Sequence, residues 1–128
     1  LLLTPILWGV AAYRADRSAE IVQLLNDLGW FFFVSVTWPP VIQLTAIGLA
    51  TLADRRPVPV FPRWSAYVNF WCAILFIPGA FLNLFLAGPF AWNGLIAFWI
   101  PAIAFGNWLL FMFYLLMKAI GQQAAEGA

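Results

Sequence analysis

Histidine is absent from this chain, and cysteine occurs once, at Cys72. The first absence removes the commonest general base and the commonest metal and haem ligand. The second rules out an internal disulfide and leaves the redox compartment undetermined. No Ser–His or Cys–His arrangement can be built, and no glycine-rich phosphate loop appears. Charge is scarce as well. Only 9% of residues carry it, for a net +1, which excludes the basic footprint of a nucleic-acid binder. The plausible acid–base groups are Asp16, Glu20, Asp27 and Asp54, all near expected helix ends. An enzyme is therefore not expected, no cofactor is required, and Cys72 reads as a buried, inert thiol.

What is present is apolar. Of 128 residues, 65% are hydrophobic, where a soluble domain is nearer half. Residues 28–53 and 64–117 contain no charge. Runs of about 20 such residues read as membrane spans, and the second is long enough to cross twice. The runs do not alternate as the strands of a membrane β-barrel do. The expected fold is an all-α integral membrane protein, one domain over 1–128. It is an antiparallel up-down bundle of about four transmembrane helices with proline-kinked spans, at about 1–13, 28–53, 64–86 and 95–117.

The first run is short. A signal-peptide core and the end of a truncated first span compete for it. No basic segment precedes the run, which favours the span, so a chain starting on Leu1 is expected to begin inside a longer one. Residues 13–20 are polar. Asp16 or Ser18 is placed to cap a following helix, with Glu20 favoured in its first turn by the helix dipole. Ile21, Leu24, Leu25 and Leu28 recur at helical spacing opposite Gln23, Asn26 and Asp27, an interfacial amphipathic opening. Asp27 reads either as a solvated interfacial carboxylate or as a group facing the bundle, paired with Arg14 or Arg17 and open to a transport role.

Pro39 and Pro40 interrupt the next run. They remove two helix donors and deprive the carbonyls of Ser35 and Val36 of partners. A kink or break follows, which the hydroxyls of Ser35 and Thr37, a neighbouring helix or water must compensate. Three prolines in residues 54–62 then forbid helix and favour an extended path. Arg55, Arg56 and Arg63 make this the most basic segment, which the positive-inside rule places in the cytoplasm. Both termini follow it there, and the same arginines suit anionic lipid.

The stretch 63–118 reads as a helical hairpin turning at Gly88. Asn69 and Asn107 are symmetric about that position, as are Asn83 and Asn93. Each pair would therefore share one membrane depth. Between them Ala73 faces Ala104, and Ala80 faces Ala97, so small residues oppose small residues. Such faces let membrane helices approach closely, and polar side chains can bridge them. Helix packing is the preferred reading of these eight residues; a polar pocket or path is the other. Pro78 and Pro101 fall mid-span and leave the carbonyls of Ile74 and Ala97 without helical partners. Broken helices bind ions in transporters, but no charge accompanies these two. Trp30, Trp64, Trp92 and Trp108 fit interfacial anchors, whereas Trp71 and Trp99 lie deeper and need partners for their indole N–H groups.

Residues 88–101 (GPFAWNGLIAFWIP) and 20–28 (EIVQLLNDL) resemble a group of small uncharacterised bacterial four-helix membrane proteins. The resemblance implies a fold and a bacterial inner-membrane location, and no activity. Two functions remain. One is a non-catalytic subunit packed against other membrane proteins, its aromatic surface open to lipid or a flat hydrophobic ligand such as a quinone or pigment. The other is a small oligomeric transporter or channel using the proline-broken helices.

Overall fold

The computed structural model describes residues 2–126. Leu1, where the first expected span begins, and Gly127 and Ala128, at the end of the polar tail, lie outside the described residues. The described chain is helical, with no strand. It comprises α1 (Leu3–Ala12), α2 (Ala19–Val34), α3 (Trp38–Ala53), α4 (Trp64–Phe76), a 3-10 segment (Ile77–Leu84), a π-helical turn (Leu95–Trp99) and α5 (Ile100–Glu126). By length and composition, three helical stretches suffice to cross a membrane: Ala19–Ala53, Trp64–Leu84 and Leu95–Ala125. Helix α1 has 10 residues, about 15 Å of rise, and falls short of that length.

Pro39, Pro40, Pro78 and Pro101 each lie at or beside a helix start or a change of helix type. Helix α2 stops at Val34, and the double proline sits in the first turn of α3. There missing N–H groups have no intrahelical partner to lose. In the gap, the backbone N–H of Thr37 donates to the Ser35 carbonyl at 2.8 Å. The two hydroxyls do not compensate. Ser35 Oγ donates back to the Phe31 carbonyl, and Thr37 Oγ1 is buried with no partner among the described residues. At Pro78 the chain tightens: Ile77 N–H donates to the Ile74 carbonyl, the acceptor that Pro78 cannot serve. The helix continues as 3-10 over Ile77–Leu84, within the proline-kinked 64–86 span expected. Before Pro101 it widens instead. The N–H groups of Phe98 and Trp99 both donate to the Gly94 carbonyl, at 3.0 and 3.2 Å, which makes the π turn. Gly88 takes φ +91°, a left-handed conformation that suits glycine, in the turn expected there. Beyond Met117, α5 runs on through the polar tail to Glu126.

The contacts divide the chain into two compact units: Leu1–Trp38 with Pro78–Trp99, and Pro39–Ile77 with Ile100–Ala128. In the first, α1 packs on α2. Val34, Leu82 and Ala97 form its core, flanked by Trp30 and Phe98. In the second, α4 packs on α5. Leu44 of α3 meets Cys72 and Ala73 of α4, with Trp108 and Phe76 alongside. Helix α3 approaches α4 closely at Gly48, where a Cβ would lie 2.5 Å from the Phe70 ring.

Candidate functional site

Two connected hydrogen-bonded places stand out in the second unit. The first is the loop after α3. The carboxylate of Asp54 accepts the backbone N–H of Arg56 at 3.1 Å and its Nε at 3.0 Å on one oxygen. Its other oxygen accepts the N–H of Val60 at 3.1 Å. An Asp that bonds the N–H two residues on is an Asx turn. The added bond to Val60 folds residues 54–60 around a single side chain. The Arg56 N–H first, then that of Val60, hold the Asp54 carboxyl below its usual range, with the Arg56 guanidinium assisting and burial opposing. The Asp54–Arg56 contact is the one ion pair among the described residues.

The second place is Asn69, fully buried at 0% exposure. Its Nδ2 donates to the Ser65 carbonyl at 2.9 Å, and its Oδ1 accepts Trp108 Nε1 at 2.9 Å. Ser65 Oγ in turn donates to the Pro62 carbonyl at 2.7 Å. A chain of hydrogen bonds therefore runs from the end of the basic loop, through α4, to α5. On α5, Leu115 and Gln122 follow Trp108 at successive intervals of seven residues and so share its face. With Lys118 they meet the loop residues Val58, Val60 and Pro62 around a groove of about 190 Å³.

This revises the expected packing of the hairpin. Asn69 bonds Trp108, not Asn107. The Asn107 side chain is exposed and donates to its own helix at the Ile103 carbonyl, 2.9 Å away. Trp108 is thus an internal hydrogen-bond donor, and Trp71 and Trp99 are 66% and 53% exposed. Asn83 and Asn93 are exposed. Ala73 and Ala97 are buried, Ala80 and Ala104 half-buried. Ala73 packs with Leu44 of α3, and Ala97 with Val34 and Leu82.

In the first unit, Trp30 is the hub. Its ring lies 4.5 Å from that of Trp92, 5.2 Å from Trp8, 5.7 Å from Phe98 and 6.0 Å from Phe33. Beside this cluster an open groove of about 620 Å³ runs between α1 and α2, lined by Trp8, Ala11, Ala12, Val22, Gln23 and Asn26 among others. Trp8 Nε1 and Arg17 Nε are buried without hydrogen-bond partners among the described residues. Ser18 is the N-cap of α2 by position, but its hydroxyl makes no capping bond. Asp27 is exposed and forms no ion pair with Arg14 or Arg17. Arg55 and Arg63 are exposed too. Among the described residues, no three His, Cys, Asp or Glu side chains gather to hold a metal.

The local signals for these sites differ. The Asx turn has a local signal, Asp54 two residues before Arg56, within a segment that its prolines mark only as extended. The Trp108 contact had no signal, because a tryptophan near a span end looks the same whether it faces headgroups or a buried asparagine. Searches against protein families, characterised proteins and solved structures find no match for this chain.

Proposed function

We propose that this chain is a multi-pass membrane protein that acts by association, as a non-catalytic subunit packed against other membrane proteins. The observation that carries this reading is its outward aromatic surface. Trp38, Trp64, Trp71 and Trp99 are each more than half exposed, as are Phe113 and Tyr114. An exposed apolar surface of this kind has no place in water. In a bilayer it faces lipid, another subunit or a flat hydrophobic ligand such as a quinone or pigment. Tryptophan and tyrosine are also the residues that dominate protein interfaces.

The charge pattern supports the same reading. Ion pathways and proton relays place ionisable groups within spans, and residues 28–53 and 64–117 carry none. Asp27, the carboxylate nearest to qualifying, is exposed. The arrangement we infer is an antiparallel bundle in a bacterial inner membrane, with Arg55, Arg56, Arg63 and both termini on the cytoplasmic side. The test is purification of the tagged chain in mild detergent, followed by mass spectrometry of the proteins that accompany it. A stoichiometric integral membrane partner is the expected result. A chain that purifies alone from its native membrane contradicts it.

A further inference from the structure

We propose that the groove between the basic loop and the last turns of α5 binds the headgroup of an anionic phospholipid, with Lys118 as its receiving cation. The inference rests on the membrane reading above and adds a ligand to it. Three observations converge on this groove.

Its walls are of two kinds. Val58, Val60, Pro62 and Leu115 are apolar, whereas Lys118 and Gln122 supply a cation and an amide. A volume of about 190 Å³ suits a phosphate with its glycerol carbons rather than a whole lipid. An ammonium beside apolar walls matches a molecule that joins an anion to hydrocarbon, and an inorganic anion gains nothing from those walls.

The local charge is left unspent. Asp54, the carboxylate of the loop, is already occupied by Arg56 and by two backbone N–H groups. Arg55, Arg63 and Lys118 have no carboxylate partner among the described residues. With Asp54 locked in place, the loop's own carboxylate does not compete with an incoming phosphate.

The position also fits. Lys118 is the first charge after the uncharged run 64–117, while Asp54 and Arg63 bracket the loop at the ends of their own runs. The groove therefore lies where apolar sequence gives way to polar sequence, the level at which a phospholipid carries its phosphate. Basic residues at this level attract anionic lipid.

The test uses the full chain in nanodiscs of pure phosphatidylcholine and of phosphatidylcholine mixed with phosphatidylglycerol. The lipids retained on the protein are counted by native mass spectrometry after gentle release. The wild type should retain phosphatidylglycerol in preference to phosphatidylcholine. Lys118→Gln should lower that preference about fivefold, the value of one basic residue at a membrane surface. Lys118→Arg should keep it, and Arg14→Gln, the same charge change in the other unit, should leave it nearly unchanged. Equal preference in Lys118→Gln and wild type overturns the groove assignment. So does displacement of the lipid by inorganic phosphate, which would make this a site for a free anion. Failure to enter pure phosphatidylcholine discs overturns the membrane reading itself, a result distinct from either.

Discussion

In the unit built from α1, α2 and residues 78–99, Trp30 touches four other rings. Its one side-chain hydrogen bond among the described residues closes locally, from Ser35 to Phe31. In the unit built from α3, α4 and α5, Asn69, Trp108, Ser65 and Asp54 are tied by directional bonds. Among the described residues, the four buried polar side-chain atoms without partners, on Thr4, Trp8, Arg17 and Thr37, fall in the first unit. Ring packing tolerates sliding and rotation, because its attraction is spread over many weak contacts. A buried hydrogen bond fixes register, because losing it strands a donor in an apolar medium. The second unit thus has its α4–α5 register specified by chemistry, whereas the first has shape alone.

The largest effect should come from the aromatic hub. Trp30→Ala should destabilise the protein in detergent by about 3 kcal/mol, the low end for deleting a large aromatic, because Trp30 is only partly buried. Thermal unfolding followed by tryptophan fluorescence measures it. A loss below about 1 kcal/mol would mean that the ring cluster does not hold this unit together.

Next comes the polar node. Asn69→Leu and Trp108→Phe should each cost about 0.6–2 kcal/mol, the range for interhelical hydrogen bonds in membranes. The double variant should cost little more than either single one. Additive losses would show that the two residues act independently.

Thr37→Val sharpens the contrast, since its expected sign is opposite. Its hydroxyl is buried and unpartnered, so an isosteric apolar side chain should be neutral or stabilising by up to about 1 kcal/mol. Ser65→Ala, which removes a made bond, should cost about 0.5–1.5 kcal/mol. Equal losses at both positions would erase the difference between the units.

The smallest effect is the acid response of the loop. The folded-state pKa of Asp54 lies below its ordinary 3.8. Its stabilising contribution is therefore complete above that ordinary value and is lost as the pH falls through the folded value. The amide resonance of Val60 should titrate with a midpoint below 3.8 and stop titrating in Asp54→Asn. A midpoint at or above 3.8 would contradict the hydrogen-bonded loop.

Much of the fold was legible because it follows from single residue types. Uncharged runs gave the long apolar helices, and prolines gave their interruptions. Gly88 gave the turn, where its positive φ confirms that position. A kink or break at Pro39 and Pro40 was legible, but what Pro78 and Pro101 produce was not. The outcome is a break at Pro39 and Pro40, 3-10 winding at Pro78 and a π turn before Pro101. It depends on which neighbouring N–H reaches the freed carbonyl. The asparagine symmetry placed Asn69 within one residue of its true partner. It set a shared depth and not a bond: one helical step turns a side chain by about 100°, which separates exposed Asn107 from Trp108, the residue that Asn69 bonds. At Gly79 a Cβ would lie 2.7 Å from Thr37 Cγ2 and 3.0 Å from the Val34 carbonyl oxygen, so a close approach falls on the glycine one residue before Ala80.

The central claim is that this chain works through association rather than as a pathway of its own. Reconstitution of the purified chain alone in liposomes tests it most directly, with ion and solute fluxes recorded under a gradient. The account predicts flux no greater than in protein-free liposomes, because the uncharged runs 28–53 and 64–117 offer no ionisable relay. Robust flux of an ion or solute with no partner present would contradict it and identify the chain as a transporter or channel.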